Sequence, residues 1–294
     1  KKRFKQWRAC HTALSPFARL LNFENVLIYR LAMTGVFKTM GLYTRGVKNA
    51  LDVKVKEISL NLPKFPESLS PYKILLVTDL HIDGIDGLTE TLIELVRPLQ
   101  VDLCLLGGDY RMEMYGDFSS ANEKLAQFIR HVRATDGIYG ILGNHDCIEI
   151  APDLEDAGLH MLINDVVRIE KNGSVLNIAG VDDPHYYKCH NLSTACEKVE
   201  PTDFSVLLAH SPEIIHDLNG FPIDLCLCGH THGGQIRLPG IGPVFTHCKT
   251  KRAFTSGLWQ YNGVTGYTST GAGSSGIPVR FNCPPEIVLL TLTS

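Results

Sequence analysis

The chain has 294 residues, of which 44% are hydrophobic, so it can bury a full core. This composition excludes an intrinsically disordered protein. The net charge is −3, but the charged residues are unevenly distributed along the chain. Residues 1–50 carry ten Lys or Arg and one Glu, and the rest carries 18 bases and 30 acids, giving net charges of +9 and −12. We therefore predict a basic arm over residues 1–50 and an acidic body over residues 51–294.

The basic arm combines positive charge with apolar residues near helical spacing. Its first eight residues contain five bases, and an apolar stretch follows. Arg19 and Glu24 are among the charges that interrupt this stretch, so it lacks the roughly 18 uncharged residues that a spanning helix needs. We predict an amphipathic helical arm whose residues 1–43 contact an anionic membrane surface, without a transmembrane span. The alternative is a helix packed on the body. Because the chain begins with Lys1, we expect a trimmed natural start.

The body alternates short apolar runs with helical patterns. Its first predicted strand, Val53–Leu62, alternates apolar and polar residues. Two stretches, Leu88–Val96 and Asn122–Val132, have helical periodicity, and Ser119 and Ser120 are candidate caps of the second. This alternation predicts one α/β domain. The further predicted strands are Lys73–Val77, Leu103–Leu106, Gly137–Leu142, Leu176–Ala179, Phe204–Ala209, Leu225–Leu227 and Ile287–Leu292.

The nine cysteines are an odd number and have no repeating spacing. This pattern favours a reduced, cytosolic compartment over a disulfide framework. Cys226 and Cys228 lie two residues apart in a predicted strand and therefore share one face. We interpret them as core residues and not as metal ligands.

Almost every apolar run ends directly in a carboxylate, a histidine or an asparagine. Because ligands bind beyond the carboxyl ends of strands in α/β sheets, we expect these side chains to converge at one edge. One Asp-x-His motif alone is more often structural, but five motifs in strand–loop context indicate a metal centre. Mixed oxygen and nitrogen donors suit manganese, iron, zinc or cobalt. The seven candidate ligands are Asp79, His81, Asp109, Asn144, His210, His230 and His232.

The ordered motifs resemble those of the calcineurin-like metallophosphoesterases, from about Tyr72 to Leu292. The resemblance implies an α/β fold, a two-sheet β-sandwich flanked by helices. It also implies two divalent metal ions, manganese first among the candidates, with Asp109 bridging them. Metal-bound hydroxide would then attack phosphorus. The implied ligand sets are Asp79, His81, Asp109 and His232 for one ion, and Asp109, Asn144, His210 and His230 for the other.

His145 matches the family histidine that protonates the leaving group or stabilises phosphoryl charge. We expect Asp146 to orient its ring, and the alternative is that His145 only orders its loop. The chain departs from the family where Met112 replaces an acid that usually supports the site. Support for the ligands must therefore come from elsewhere.

Three further side chains are candidates for substrate binding: Arg111, Gln235 and Arg280. Arg111 could reach a phosphate or lie on the surface. Gln235 follows two glycines that allow close backbone approach, although the same segment could be a tight turn. A segment after the predicted strand Leu176–Ala179, residues 185–187, either lines a substrate groove or forms a solvent-facing loop.

The stretches Gly229–Gln235 and Gly273–Arg280 are similar to a bacterial membrane-associated branch of the family. That branch includes YkuE-type phosphoesterases and the chlamydial type of UDP-2,3-diacylglucosamine pyrophosphatase. It implies a peripheral protein at the cytoplasmic side of the inner membrane. The leading hypothesis is hydrolysis of a phosphoanhydride or phosphodiester in a lipid-linked substrate. The best candidate is UDP-2,3-diacylglucosamine, cleaved to UMP and a lipid X-type 1-phosphate in lipid A synthesis.

Three alternatives stay open. The first is a membrane-docked phosphodiesterase or phosphatase of nucleotides or small phosphoesters. The second is a non-catalytic scaffold, against which the complete motif set argues. The third is a nuclease, although the apolar residues of the arm argue against a nucleic-acid partner. The sequence leaves the oligomeric state open.

Overall fold

The computed structural model describes residues 27–294, so the basic start of the predicted membrane arm lies outside the described residues. The described chain begins with two helices, α1 over Leu27–Thr39 and α2 over Tyr43–Leu51. Within residues 27–294, no helix is long and apolar enough to cross a membrane.

Fourteen strands follow within the described residues. In chain order they are β1 Lys54–Asn61, β2 Tyr72–Val77, β3 Leu103–Leu106, β4 Ile138–Gly140, β5 His160–Met161, β6 Asp165–Lys171, β7 Ser174–Gly180, β8 Phe204–Ala209, β9 Leu225–Cys228, β10 Arg237–Leu238, β11 Gly242–Pro243, β12 Gly257–Tyr261, β13 Val264–Thr268 and β14 Glu286–Thr293. Four more helices lie between them: α3 Leu88–Val96, α4 Ser119–Ile129, α5 Ala151–Asp156 and α6 Leu192–Ala195. Five short 3-10 helices complete these elements: Glu67–Leu69, Ile148–Ile150, Pro212–Asp217, His232–Gly234 and Arg252–Phe254.

Twelve of the strands form two six-stranded mixed sheets. The first sheet has the order β1-β14-β2-β3-β4-β5, and the second has the order β12-β13-β9-β8-β7-β6. Within the first sheet β2, β3 and β4 are mutually parallel, and within the second β7, β8 and β9 are mutually parallel. The remaining two strands, β10 and β11, pair as a small antiparallel hairpin.

The central core lies between the two sheets. Inward-facing residues such as Ile74 of β2 and Leu105 of β3 pack in one cluster with Val206 of β8 and Leu227 of β9. Helices cover the outer faces: Leu92 of α3 packs in the cluster on the first sheet, and the smaller cluster of α6 lies on the second. The predicted two-sheet sandwich flanked by helices is therefore confirmed.

Several local predictions are confirmed as well. Leu88–Val96 forms α3 with the predicted bounds, and Cys226 and Cys228 are fully buried in the core of the second sheet. The predicted serine caps of α4 are wrong. The residue before the helix is Phe118, and Asp117 accepts hydrogen bonds from the backbone N–H and the hydroxyl of Ser119.

The described part of the arm packs on the body. Phe37 of α1 is nearly buried and stacks on Phe281, with ring centroids 5.5 Å apart. Arg30 forms an ion pair with Glu113 at 2.7 Å. This arrangement matches the packed-helix alternative for residues 27–51. The predicted division between residues 50 and 51 falls within α2 and stays a prediction.

Candidate metal centre

The candidate ligands lie where the carboxyl ends of the parallel strands of both sheets meet. In the first sheet, Asp79 and His81 follow β2, Asp109 follows β3, and Asn144 follows β4. In the second sheet, His210 follows β8, and His230 and His232 follow β9. Hydrogen bonds join the two edges, because the His230 N–H donates to the carboxylate of Asp79. The structure therefore brings all seven candidates together, as the strand-end pattern predicts.

Asp109 occupies the middle of the arrangement. Its Oδ2 lies 3.6 Å from Nε2 of His81 and 3.4 Å from Nε2 of His210. Its Oδ1 accepts the backbone N–H of His145 at 2.8 Å. The carboxylate thus faces imidazoles on both sides, which is the position that a shared ligand requires.

One potential ligand group surrounds Asp79. The ligand atoms of Asp79, His81 and His232 all lie within 4.8 Å of one another. The Nε2 atoms of the two histidines are 3.3 Å apart, and their rings stack with centroids 5.2 Å apart. These three residues with Asp109 correspond to the first predicted ligand set.

The second group lies on the other side of Asp109. The ligand atoms of Asp109, His210 and His230 also lie within 4.8 Å of one another. The Asn144 side chain joins them, since its Oδ1 lies 2.9 Å from Nε2 of His210. A third combination, His81, Asp109 and His145, meets the same distance criterion. The four residues of the second predicted set are thus adjacent.

Backbone carbonyl groups orient three of the histidine rings. The Nδ1–H of His81 donates to Arg111 O at 2.8 Å, and the Nδ1–H of His210 donates to Gly107 O at 2.8 Å. The Nε2–H of His230 donates to His247 O at 3.0 Å. These bonds fix the orientation of each ring, and the Nε2 atoms of His81 and His210 face the Asp109 carboxylate.

Nδ1 of His230 supplies a direct test of the fit to a cation. This nitrogen is buried and has no hydrogen-bond partner in the protein. A buried acceptor without a partner is costly, and a divalent cation would satisfy it. The mixed donor set of carboxylate, amide and imidazole therefore fits divalent metal ions, and these residues could hold two.

Burial and neighbouring charges shift the pKa values of the candidate ligands. Burial lowers the pKa of His81 to about 3, so this ring is neutral. Burial also raises the pKa of Asp79 to about 6. For His210, burial opposes the charged form, but the adjacent Asp109 carboxylate raises its pKa to about 10. His81 is thus neutral, whereas His210 holds a proton beside Asp109, in the place where a bound cation would supply the positive charge instead.

The backbone at the site is unusual as well. Five candidate ligands have positive φ angles: Asp79 at 51°, His81 at 36°, Asp109 at 56°, His230 at 72° and His232 at 49°. Such conformations cost on the order of 1 kcal/mol or more per non-glycine residue and concentrate at functional sites. Gly143 and Gly229 allow close approach, because a Cβ atom on either would overlap the carboxylate of Asp109 or Asp79 respectively.

His145 lies beside the two ligand groups and faces the cavity in front of them. Its ring is 4.7 Å from that of His81, measured between centroids. The Nδ1–H of His145 donates to Met112 O at 2.6 Å, so a backbone carbonyl orients the ring, and the orienting role of Asp146 stays a prediction. The Asp146 carboxylate accepts the backbone N–H groups of Asp109, Tyr110 and Gly143. Met112 thus supports the site through its carbonyl group, although its side chain is not an acid.

The three candidates for substrate binding have structural contacts in the protein. Arg111 is 2% exposed and donates to the carbonyl groups of Tyr115 and Gly116. Gln235 borders the cavity, but its amide bonds to Ser275 and Ile277.

Arg280 is fully buried. It donates to Gly271 O and Gly273 O, and its Nη2 lies 3.1 Å from Nδ1 of His232. The prediction that it contacts substrate is corrected, because its guanidinium is enclosed by the loop that it stabilises. We assign it to positioning that loop and His232.

Sequence reasoning gave no site role to the His185–Glu213 pair. Nδ1 of His185 lies 2.9 Å from Oε1 of Glu213, and its ring centroid is 4.2 Å from that of His230. His185 follows β7, so the strand-end pattern that identified the candidate ligands would have placed it near the centre too. His185 therefore lies against the centre, and within this segment Tyr187 is buried while His185 and Tyr186 are half-buried, in contrast to the solvent-facing alternative.

A cavity of about 320 Å³ opens in front of the centre. Asp109, Asn144, His145, His230 and His232 line its polar end. The apolar wall of the cavity comes mainly from three separate segments, with Met33 and Phe37 on α1, Ile277 on the C-terminal loop, and Val244 and Phe245 after the β10–β11 hairpin. The volume and the mixed lining are typical of a small-molecule site.

Comparison with known proteins gives a consistent result. The model of the calcineurin-like phosphoesterase family matches residues 72–234. The chain is 30% identical over 251 residues to the uncharacterised metallophosphoesterase YkoQ of Bacillus subtilis, covering 82% of this chain and 90% of YkoQ. It is 32% identical over 238 residues to phosphodiesterase YaeI of Escherichia coli, covering 78% and 84%. It is 29% identical over 255 residues to the uncharacterised metallophosphoesterase YkuE of Bacillus subtilis, covering 82% and 86%.

Proposed function

The chain belongs to the calcineurin-like phosphoesterase family and is a metal-dependent phosphoester hydrolase, and we propose that its substrates are phosphodiesters or phosphoanhydrides. We propose that two divalent cations bind in the two ligand groups that share Asp109, with manganese as the first candidate. The observation that carries the proposal is the convergence of these groups at the polar end of one cavity.

The cations and the protein side chains would divide the chemistry. Two adjacent divalent cations withdraw charge from a phosphoryl group and increase the acidity of nearby water. His145 faces the same cavity and is the proposed proton donor to the departing oxygen. Because its Nδ1–H is bonded to Met112 O, the donated proton is carried by Nε2, and the reactive form is the imidazolium.

The name of a relative supports the diester as substrate. YaeI is named a phosphodiesterase, and this chain covers 84% of its length. A direct test is the hydrolysis of bis(p-nitrophenyl) phosphate by protein stripped of metal and reloaded with manganese, zinc or cobalt. We expect turnover only after reloading. Turnover that is equal in stripped and reloaded protein would contradict the proposal.

The apolar wall of the cavity favours a more specific substrate class. Seven large apolar side chains line the cavity beside the candidate metal ligands, more than a free nucleotide phosphate would use. We propose a phosphate ester or anhydride that carries an apolar group, with UDP-2,3-diacylglucosamine as the leading candidate. Hydrolysis of its pyrophosphate bond consumes one water and gives UMP and the lipid 1-phosphate. The protein would then act as a peripheral enzyme at the cytoplasmic side of the inner membrane.

Comparison of acylated and acyl-free UDP-sugar tests this specificity. We expect a higher kcat/KM for the acylated substrate, and we expect Phe245→Ala to reduce that preference. Leu258→Ala, an exposed apolar residue that does not line the cavity, is the matched control. Equal kcat/KM for both substrates would instead favour a phosphodiesterase of nucleotides or small phosphoesters.

A further inference from the structure

Exposed apolar side chains are concentrated around the mouth of the cavity. Of the eight large hydrophobic residues that are exposed in residues 30–294, seven belong to two segments, residues 31–40 and residues 238–245. We call six of them the rim patch: Val36 on α1, Met40 directly after α1, and Leu238, Ile241, Val244 and Phe245 on or directly after the β10–β11 hairpin. Their exposed fractions range from 44% to 66%. Such a cluster marks an interaction surface more often than scattered residues do.

Both segments of the rim patch contain or adjoin residues that line the cavity. Met33, Val36 and Phe37 on α1 follow helical spacing, and Met40 continues it directly after the helix, where its N–H donates to Val36 O. Met33 and Phe37 line the cavity, so Val36 and Met40 extend that side outward into solvent. Val244 and Phe245 line the cavity and are themselves 44% and 59% exposed. The patch therefore continues the apolar wall of the cavity to the surface.

The charged residues around the rim patch indicate what kind of partner it binds. Residues 27–51 and 236–252 each contain four Lys or Arg and no Asp or Glu, in a chain whose net charge is −3. Lys38 on α1 and Arg252 are exposed, and the Arg252 guanidinium donates to Ile241 O at the tip of the hairpin. The acid at the cavity wall, Glu113, is already paired with Arg30. The rim patch is thus an apolar surface within a basic surround.

We propose that the rim patch binds an anionic lipid bilayer and turns the mouth of the cavity toward it. A bilayer supplies both a negative surface and an apolar interior, which match the bases and the apolar side chains. A second copy of this chain would place its own eight basic residues opposite these, and the like charges would repel. Residues 1–26 would be repelled as well, because they carry six bases and one acid. The hairpin thus adds a membrane contact that is separate from the N-terminal arm.

Vesicle binding by the full chain tests the proposal. The variant Leu238→Ser/Ile241→Ser removes two exposed side chains that do not line the cavity. We expect its partition onto phosphatidylglycerol-containing vesicles to fall about tenfold, because contributions to partition add. Leu258→Ser is the matched control, since Leu258 is 52% exposed but lies in neither segment, and its partition should not change. Wild-type binding should fall on pure phosphatidylcholine vesicles and at high salt.

Tryptophan fluorescence distinguishes direct contact between the hairpin and lipid from an indirect effect of the substitutions. In Ile241→Trp we expect the added tryptophan emission to be quenched by brominated lipids, whereas the emission added by Leu258→Trp should not be. Equal partition of the hairpin variant and the wild type would overturn the proposal. A wild-type dimer in solution that the hairpin variant dissociates would also overturn it, because a second copy would then cover the patch.

The proposal rests on the mouth of the cavity that the proposed function uses, and the two can fail separately. Turnover of soluble bis(p-nitrophenyl) phosphate should be the same in the wild type and in Leu238→Ser/Ile241→Ser. Loss of vesicle binding with unchanged turnover supports the docking surface. Absence of turnover in the wild type contradicts the proposed function and leaves the vesicle result to decide the docking surface alone.

Discussion

At the scale of single residues, His145 is the side chain whose position most directly implies a chemical step. Its backbone N–H is bonded to Asp109, and its Nδ1–H is bonded to Met112 O, so both the residue and its ring are held in place. The ring lies in the wall of the cavity next to the candidate ligands. A ring held in this way loses little orientational freedom when it transfers a proton.

We expect His145→Ala to reduce kcat for a phosphodiester by roughly 10²–10⁴-fold, the usual contribution of a positioned acid. The metal content should stay at that of the wild type, since the seven candidate ligands are unchanged. Steady-state kinetics and metal analysis check this prediction. His160→Ala, which removes an exposed histidine, is the control. Loss of metal with unchanged turnover per remaining site would contradict the assigned role.

Arg280 is a buried charged residue that holds a loop and a candidate ligand in place. Its guanidinium donates to the carbonyl groups of Gly271 and Gly273 and lies against His232. Arg280→Ala removes the arginine donors to Gly273 O and leaves Gly271 O only the Glu286 N–H, so we expect the free energy of unfolding to fall by about 3 kcal/mol. We also expect weaker binding of the cation next to His232. Urea denaturation and metal titration measure both effects.

The control for Arg280→Ala is Arg45→Ala, which changes an exposed arginine of α2. A substrate-binding arginine would behave differently from a positioning residue. Its removal would raise KM and leave both stability and metal affinity unchanged. That result would restore the role predicted from the sequence.

At the scale of elements, helix α1 joins the N-terminal segment to the cavity. Phe37 packs with Ile277 and Val279 in a small cluster and stacks on Phe281. The same helix supplies one wall of the cavity. Its packing therefore affects both stability and substrate access.

We expect Phe37→Ala to lower the free energy of unfolding by about 2 kcal/mol. This is below the usual cost of a core phenylalanine because the cluster is small and near the surface. Val36→Ala, next to it but 47% exposed, is the control and should have little effect. Equal stability of Phe37→Ala and the wild type would mean that α1 does not pack on the body in solution.

The elements also show what local sequence patterns can predict. The bounds of β3, β8 and α3 follow from short apolar runs and helical periodicity, because burial determines those patterns directly. The hairpin β10–β11 and the strands β12 and β13 were not predicted individually. Their segments are rich in glycine, proline and aromatic residues, and partners distant in the chain determine their pairing, such as β13 with β9.

At the scale of the whole molecule, two sheets bring candidate ligands from both halves of the chain to one place. The strand-end motifs predicted which seven side chains converge, because parallel strands direct their carboxyl ends to one edge. They did not predict the contacts of Arg111, Gln235 and Arg280, since loops far apart in the sequence determine those contacts. The sequence did not predict the apolar wall either, because α1, the hairpin and the C-terminal loop together form it.

The central claim is that Asp109 is shared between two bound cations. Its carboxylate lies between His81 and His210, within reach of both ligand groups, whereas Asp79 belongs to one group only. The most direct measurement is therefore the number of tightly bound metal ions per chain in the wild type, Asp79→Ala and Asp109→Ala. We expect about two in the wild type, about one in Asp79→Ala, and neither site fully occupied in Asp109→Ala. An Asp109→Ala variant that still binds two ions would contradict the account.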